Sequence, residues 1–207
     1  MDNELGSPMY PEAFHKAVRG LRNLGVSERV AMRQASALLR GQPQKLAELI
    51  EGLHSLRDDI GKCPFCHFMS QGDNACRICS NPKRSPELCC VVASPADLEA
   101  VERSGSFNGK YYIMGEVLTP ETMDSFKNSV RGLVAELKRR NASEAVLAFK
   151  TDVDGENTMS YLNSILTKMN IRVSRPAVGI PVTQEIEFAG SETLRRAMEN
   201  RQAIPAA

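Results

Sequence analysis

The sequence predicts an α/β protein with a parallel sheet, preceded by a helical region and a cysteine-rich metal-binding segment. Up to about residue 60, apolar residues recur at the spacing of amphipathic helices. Two Cys-x-x-Cys pairs follow close together, and after Pro86 short apolar runs alternate with helical stretches. Because such alternation is typical of parallel sheets, we expect two parts: helices with a metal knot, then an α/β domain.

Three helices are predicted before the cysteines. The first begins at Tyr10-Pro11, the second is capped by Ser27 and ends at Gly41, and the third begins at Pro43. Residues at helical spacing form the apolar face of each helix: Phe14, Val18, Leu21 and Leu24 in the first, Val30, Ala31, Ala35, Leu38 and Leu39 in the second, and Leu46, Leu49, Ile50, Leu53 and Leu56 in the third.

Four strands are predicted after Pro86, each followed by a helix or by the C-terminal segment. The apolar runs that predict the strands cover residues 89–92, 111–114, 145–149 and 171–173. The first of these helices begins at about residue 95, and the other three cover about 122–140, 156–169 and 191–201. A sheet of this kind is expected to be covered by helices on both faces.

Four cysteines are the strongest chemical signal: Cys63, Cys66, Cys76 and Cys79. Each Cys-x-x-Cys forms a tight turn that supplies two thiolates, and the loop between the pairs brings both turns around one tetrahedral zinc ion. Four protein thiolates leave no coordination position open, so a structural zinc is expected rather than a catalytic one. The alternative, a thioredoxin-type redox pair, needs one such motif rather than two. His67, beside the second cysteine, is expected to be a bystander.

Basic residues are concentrated in the predicted helices. The net charge of the whole chain is only +1, but between residues 16 and 45 seven basic side chains accompany one acid, Glu28. Such a face is the footprint of phosphate contact, so DNA binding is expected there. A solvated helix surface is the alternative explanation for the charge alone. The residues expected to contact DNA are Arg19, Arg22, Arg29 and Arg33.

Three carboxylates follow the third predicted strand: Asp152, Asp154 and Glu156. Ligands sit at the carboxyl ends of parallel strands, so these groups are candidates for Mg²⁺ and phosphoryl chemistry. The alternative is an ordinary acidic loop that caps the next helix. The sequence contains neither a Gly-rich P-loop nor the Gly-rich dinucleotide motif.

The sequence also bears on location. Its first residues lack the basic start and apolar run of a secretory signal, and no stretch approaches the roughly 18 apolar residues that cross a bilayer. Clustered cysteines in such a chain favour metal over disulfides. We therefore expect a cytoplasmic protein.

Three segments carry a family resemblance. They read Cys-Arg-Ile-Cys-Ser-Asn-Pro-Lys-Arg at 76–84, Val-Val-Ala-Ser-Pro-Ala-Asp at 91–97 and Gly-Ile-Pro-Val at 179–182. Together with the order of the parts, they resemble the bacterial RecR family over nearly the whole chain. The resemblance implies a helix-hairpin-helix DNA-binding region over 1–60, a four-cysteine zinc finger over 61–86, a Toprim-like α/β domain over 87–176, and a tail with a Walker-B-like motif and a helix over 177–207.

The resemblance also implies a function and partners. RecR proteins are non-enzymatic mediators that work with RecO, and in many bacteria RecF, to load RecA onto gapped single-stranded DNA, and they form dimers or ring tetramers. This chain is therefore expected to bind such DNA, to form a homo-oligomer and to act in DNA repair and recombination. Arg29 and Arg33 match the family's DNA-contacting basic pair. By the same resemblance, the three carboxylates are expected to contact a basic RecO-like partner.

Three of the departures from the family pattern bear on function. Toprim enzymes carry a Glu after the first strand and a leading Asp in a later acidic motif, where this chain has Ala93 and Lys150. Both losses favour a non-enzymatic protein. Ser27 replaces the second glycine of the family's hairpin. Two alternatives stay open: a Mg²⁺-dependent Toprim enzyme acting on nucleic acid, and a protein-only module that modifies another RecR.

Overall fold

The protein is described by a computed structural model that covers residues 9–177, 179–181, 183–201 and 203. The chain divides into two compact units, Met1–Ile60 and Gly61–Ala207. None of the helices within the described residues is long and apolar enough to span a membrane. Val182, the last residue of the third segment that carries the family resemblance, lies outside the described residues.

The first unit contains three helices: α1 (Glu12–Asn23), α2 (Glu28–Arg40) and α3 (Pro43–Asp58). Helices α1 and α2 pack against each other through a small core. Its buried members are Phe14, Val18, Ala31 and Ala35.

The turn between α1 and α2 depends on Gly25, whose φ of +84° lies in the left-handed region that favours glycine. Ser27 occupies the N-cap position of α2, but its side chain makes no capping hydrogen bond, so the predicted cap is wrong in that respect. The predicted apolar faces were also too wide. Leu24 and Leu39 are 80% and 70% exposed, because the short two-helix core reaches only the central residues of each helix.

Helix α3 begins at Pro43 as predicted, with proline in its first turn. Its apolar stripe is present, but no residue of this helix is buried in the described part of the chain. Four residues of the stripe are between 43% and 66% exposed: Leu49, Ile50, Leu53 and Leu56. The helix therefore presents an uncovered apolar face.

The second unit begins with a two-stranded sheet and a short helix. Strands β1 (Ile60–Lys62) and β2 (Met69–Gln71) pair, and α4 covers Arg77–Ser80. These elements carry the four predicted metal ligands.

A four-stranded parallel sheet forms the centre of the second unit. Its strands are β3 (Leu88–Val92), β4 (Lys110–Ile113), β5 (Glu144–Ala148) and β6 (Arg172–Ser174), in the order β4-β3-β5-β6. In the register, Cys90 lies beside Tyr111 on one side and Val146 on the other. The predicted parallel α/β fold is confirmed, since each predicted apolar run overlaps one of these strands.

Helices alternate with the strands and cover the sheet. They are α5 (Pro95–Ser104), α6 (Met123–Arg140) and α7 (Val153–Leu166), with α8 (Ser191–Glu199) near the end of the chain. Helix α5 begins with a capping box in which Ser94 and Asp97 bind each other's backbone N–H groups. Helix α7 begins three residues earlier than predicted, because the Asp152 side chain caps it by accepting from the Gly155 N–H at 2.9 Å.

The two faces of the sheet have different coverings. Cys89 and Val91 point into a core that contains residues of α6 and α7. Cys90 and Val92 point into a second core, formed with α5 and with the cysteine-rich segment. The cysteine-rich segment thus forms part of the covering of one face of the sheet, beside α5.

Candidate metal centre and DNA-contact residues

The four predicted ligands come together at one point. Their sulfur atoms all lie within 4.8 Å of one another, and the Sγ atoms of Cys66 and Cys76 are 3.5 Å apart. Cys63, Cys66 and Cys76 are buried, and Cys79 is partly exposed. Within the part of the chain that the structure describes, this is the one group of three or more His, Cys, Asp or Glu residues arranged to hold a metal ion.

Local backbone geometry shapes the two turns. In the first, Cys63 N–H donates to the Phe68 carbonyl at 2.7 Å, and His67 N–H donates to the Cys63 carbonyl at 3.0 Å. His67 adopts a φ of +64°, its Nδ1 lies 3.2 Å from the Ile113 carbonyl, and it is not a member of the group arranged to hold a metal ion. In the second, Cys76 precedes α4 and its N–H donates to Cys63 Sγ at 3.4 Å.

The arrangement fits a tetrahedral metal ion. Four sulfur atoms at about 2.3 Å from one ion lie about 3.8 Å apart, which agrees with the observed cluster. Hydrogen bonding with the Cys66 thiol, then with the Cys79 thiol and the Cys79 and Ile78 N–H groups, lowers the pKa of Cys76. The hydrogen bond with Cys76 raises the pKa of the Cys66 thiol, so of this pair Cys76 is the one favoured as the thiolate, which is the form that binds metal. All six cysteines are free thiols, none of them in a disulfide.

Basic side chains that were not predicted from the sequence surround this cluster. Lys110 and Arg140 are buried, and Arg139 lies over the ring of Phe65 in the first turn, 4.3 Å from its centroid. The sequence could have indicated a special role for Lys110, because a charged residue within an otherwise apolar buried strand is unusual. Basic residues are favourable at the C-terminus of any helix because of the helix dipole. The basic run at the end of α6 therefore did not indicate that Arg140 lies beside the cysteines.

The four arginines expected to contact DNA are exposed on two helices. Arg19 and Arg22 lie on α1, and Arg29 and Arg33 lie on α2. Arg22 is 3.7 Å from Glu28 at the start of α2. Among the residues that the structure describes, no carboxylate lies within 4.0 Å of the other three arginines. They are therefore available to a phosphate.

The three predicted carboxylates lie at the start of α7, in agreement with the alternative that they cap this helix. Asp152 is the N-cap, and Asp154 and Glu156 are in the first turn. Glu156 is bound by Arg175 at 3.2 Å and Arg196 at 2.9 Å. Across the described ranges, these carboxylates do not form a group arranged for a metal ion.

Three residues near these carboxylates define the local chemistry. A Cβ on Gly155 would clash with the Lys150 carbonyl oxygen, so only glycine fits this tight entry into α7. Lys150 is exposed, and Ala93 follows β3 at the position where an enzyme would carry a carboxylate. The arrangement supplies helix capping and ion pairs.

Comparison with known proteins agrees with this architecture. The Toprim domain family matches residues 87–177. The protein called Recombination protein RecR from Thermus thermophilus is 38% identical over 199 residues, which cover 94% of this chain and 99% of the relative. The protein of the same name from Desulforapulum autotrophicum is 32% identical over 200 residues, 95% of this chain and 99% of the relative. That from a Synechococcus species is 37% identical over 183 residues, 87% of this chain and 90% of the relative.

Fold and site together define a Toprim-domain protein with a four-cysteine cluster whose geometry fits a metal ion. At this level of identity over nearly the whole length, the chain belongs to the RecR family of recombination proteins. The resemblance drawn from residues 76–84 and 91–97 is therefore confirmed, as is the Toprim-like α/β domain.

Proposed function

We propose that this protein is a DNA-binding, non-enzymatic mediator of recombination in DNA repair. It acts in the cytoplasm as an adaptor that helps to load a recombinase onto gapped single-stranded DNA, together with RecO-like and RecF-like proteins. The observation that carries this proposal is the match to proteins named Recombination protein RecR over about 95% of the chain.

DNA binding is assigned to the α1–α2 pair of the first unit. Arg19, Arg29 and Arg33 are exposed and have no acidic partner among the described residues, so contact with a phosphate breaks no existing ion pair. The Ser27 side chain leaves the first-turn N–H groups of α2 uncapped, and such groups attract anions. Arg22 contributes less, because it must leave Glu28 before it meets a phosphate.

The metal is assigned as one structural zinc ion. Four thiolates in tetrahedral spacing are the ligand set that zinc prefers in structural sites. The ligands belong to a segment that covers one face of the sheet, so bound zinc stabilises the second unit. When bound, zinc supplies no open coordination position for a substrate.

The residues at the carboxyl ends of the strands support a non-enzymatic role. Phosphoryl transfer through two metal ions needs several carboxylates that converge on ions roughly 4 Å apart. Ala93 offers none, and Glu156 already binds two arginines. Asp152 and Asp154 are instead proposed to meet a basic surface of a RecO-like partner, with Glu156 at the edge of that contact.

Self-association is assigned to the uncovered apolar stripe of α3. Leu49, Ile50, Leu53 and Leu56 form one continuous face, and water contact with such a face is unfavourable. A second copy offers the same stripe and covers it by symmetric packing. We propose that the protein is a homo-oligomer, a dimer or a ring tetramer, in which this face is buried.

One experiment tests the proposed function as a whole. Purified protein is mixed with fluorescent gapped DNA in the presence of Mg²⁺, and anisotropy and the integrity of the DNA are followed together. Binding that weakens with salt, with the DNA unchanged, is the expected result. Recombinase loading on the same gapped DNA should be faster with this protein and a RecO-like partner than with the partner alone. DNA cleavage or synthesis that needs the purified chain would contradict the proposal.

A further inference from the structure

Three basic side chains border the four-cysteine centre, and we refer to Lys110, Arg139 and Arg140 as the cationic clamp. Together with Cys79 and Pro86, they line a cavity of about 270 Å³. Lys110 comes from the start of β4, and both arginines come from the last turn of α6. None of the three is a candidate metal ligand, so another role must explain their position.

Lys110 holds the backbone of the second metal-binding turn. Its ammonium donates to the carbonyl oxygens of Ile78 at 3.0 Å, Cys79 at 3.0 Å and Asn81 at 2.7 Å. Lysine has three N–H donors, and all three are used here. Lys110 is only 8% exposed, so its positive charge lies in a region where electrostatic interactions are strong.

Each of the two arginines contacts a different turn of the cysteine-rich segment. Arg140 directs one nitrogen towards Cys79 Sγ at 3.9 Å and another towards the Tyr111 carbonyl at 3.4 Å. Its side chain is 4% exposed and also binds the buried carboxylate of Glu136. Arg139 binds Glu136 at 2.7 Å while its guanidinium lies over Phe65 of the first turn. The end of α6 therefore touches both halves of the metal-binding segment.

The net charge of the region around the cysteines indicates the role of the cationic clamp. Three cations and the one anion, Glu136, leave two positive charges in this region. Four thiolates around one divalent ion carry two negative charges, which this surplus balances. A free anion in the cavity would find Lys110 fully used and both arginines already bound to Glu136. A charge-balancing role for the clamp is therefore favoured over an anion-binding cavity.

We propose that Lys110 and Arg140, with Arg139 beside them, are positioning residues of the metal centre, which fix its second turn and neutralise the charge of the metal–thiolate group. This inference rests on the proposed zinc site. Around metal sites, removal of such a supporting partner typically weakens metal binding by roughly 10–100-fold. Arg140, which lies 3.9 Å from Cys79 Sγ, also stabilises that thiolate electrostatically, and a stabilised thiolate reacts more slowly with electrophiles.

The test separates charge from hydrogen bonding. Lys110→Gln keeps two N–H donors for the carbonyls but removes the charge, whereas Lys110→Arg keeps both. The full chain is loaded with Zn²⁺, and the rate of zinc release is measured after addition of a chelator and, separately, of an alkylating reagent. We expect Lys110→Gln to release zinc at least about tenfold faster in both assays, and Lys110→Arg to behave like the wild type.

The control is Lys127→Gln, which removes one positive charge from α6 about 20 Å away along the helix. It should leave both rates unchanged. Release from Lys110→Gln at the wild-type rate would overturn the inference. If Lys110→Gln does not fold, Arg139→Gln replaces it, because Arg139 has a side chain 53% exposed and its loss disturbs packing less. Wild-type protein that holds no zinc would refute the zinc assignment itself, a result that is distinct from equal release rates.

Discussion

Arg196 in the C-terminal helix binds Glu156 at the start of α7, with 2.9 Å between Nη1 and Oε1. The Arg196 side chain is only 19% exposed, and Arg175 binds the same carboxylate at 3.2 Å. The acidic end of the sheet is therefore already partly neutralised by the chain itself. Among the described residues, neither Asp152 nor Asp154 forms an ion pair. Of the three carboxylates assigned to a basic partner, these two therefore keep an unmatched negative charge.

The first prediction concerns these two residues. Asp152→Asn plus Asp154→Asn should weaken binding of a RecO-like partner and recombination in cells, while DNA binding stays unchanged. Asparagine at position 152 keeps the helix cap, whose loss through alanine would cost about 1 kcal/mol. The measurement is a pull-down or calorimetric titration with the partner. The matched control is Glu116→Gln plus Glu121→Gln, which removes the same charge.

Unchanged partner affinity in a folded double variant would move the partner site elsewhere. The same pair also tests the enzyme alternative. A nuclease or primase activity that needs Mg²⁺ and disappears in this variant would restore a catalytic role for the carboxylates, in place of the capping and ion pairing proposed for them.

The second prediction concerns DNA binding by α2. Arg29→Glu plus Arg33→Glu should weaken binding to all DNA sequences alike, because phosphate contacts carry no sequence information. The slope of the logarithm of affinity against the logarithm of salt should fall by up to about 0.9 for each duplex phosphate that the variant no longer neutralises. Anisotropy titrations at several salt concentrations measure both effects.

The control for this prediction reverses two charges elsewhere. Lys127→Glu plus Arg131→Glu changes exposed residues of α6, in the second unit, and removes the same net charge. If both double variants weaken binding equally, the effect comes from the total charge of the protein rather than from a defined surface on α2.

The third prediction concerns assembly through α3. Leu53→Lys plus Leu56→Lys should shift the protein to a smaller species in light scattering or analytical ultracentrifugation. These side chains are 58% and 66% exposed, so the substitution costs the isolated chain little stability. Leu39→Lys, at a site 70% exposed on α2, is the control and should leave the mass unchanged. An unaltered mass in the α3 variant would remove this helix from the interface.

The sequence predicted the parallel sheet and the metal ligands because both depend on local patterns. Four consecutive buried residues in β3 form a continuous apolar run, and paired cysteines place their own sulfur atoms. The start of α7 was predicted three residues too late, because the sequence pattern did not show which of the acidic residues caps the helix, and in the structure Asp152 does. The exposure of α3 could not be predicted, because an apolar stripe has the same sequence pattern whether it packs within the chain or against a second copy.

Long-range side-chain contacts could not be predicted from the sequence either. Lys110 meets carbonyl groups about thirty residues earlier in the chain, and no spacing rule connects a strand residue to them. Arg140 ends a basic run that suits any helix C-terminus, and only the fold brings it to Cys79.

The last prediction concerns the zinc ion. Purified protein should contain one zinc per chain, and Cys76→Ser should lose it and become poorly soluble or fail to assemble. A structural zinc contributes on the order of 10 kcal/mol of apparent binding energy in small zinc domains, and here its ligands cover one face of the sheet. Elemental analysis with thermal unfolding measures both effects. Cys90→Ala is the control, because it removes a buried thiol that is not a ligand and should keep the zinc. Metal-free wild-type protein whose four thiols titrate freely would contradict this assignment.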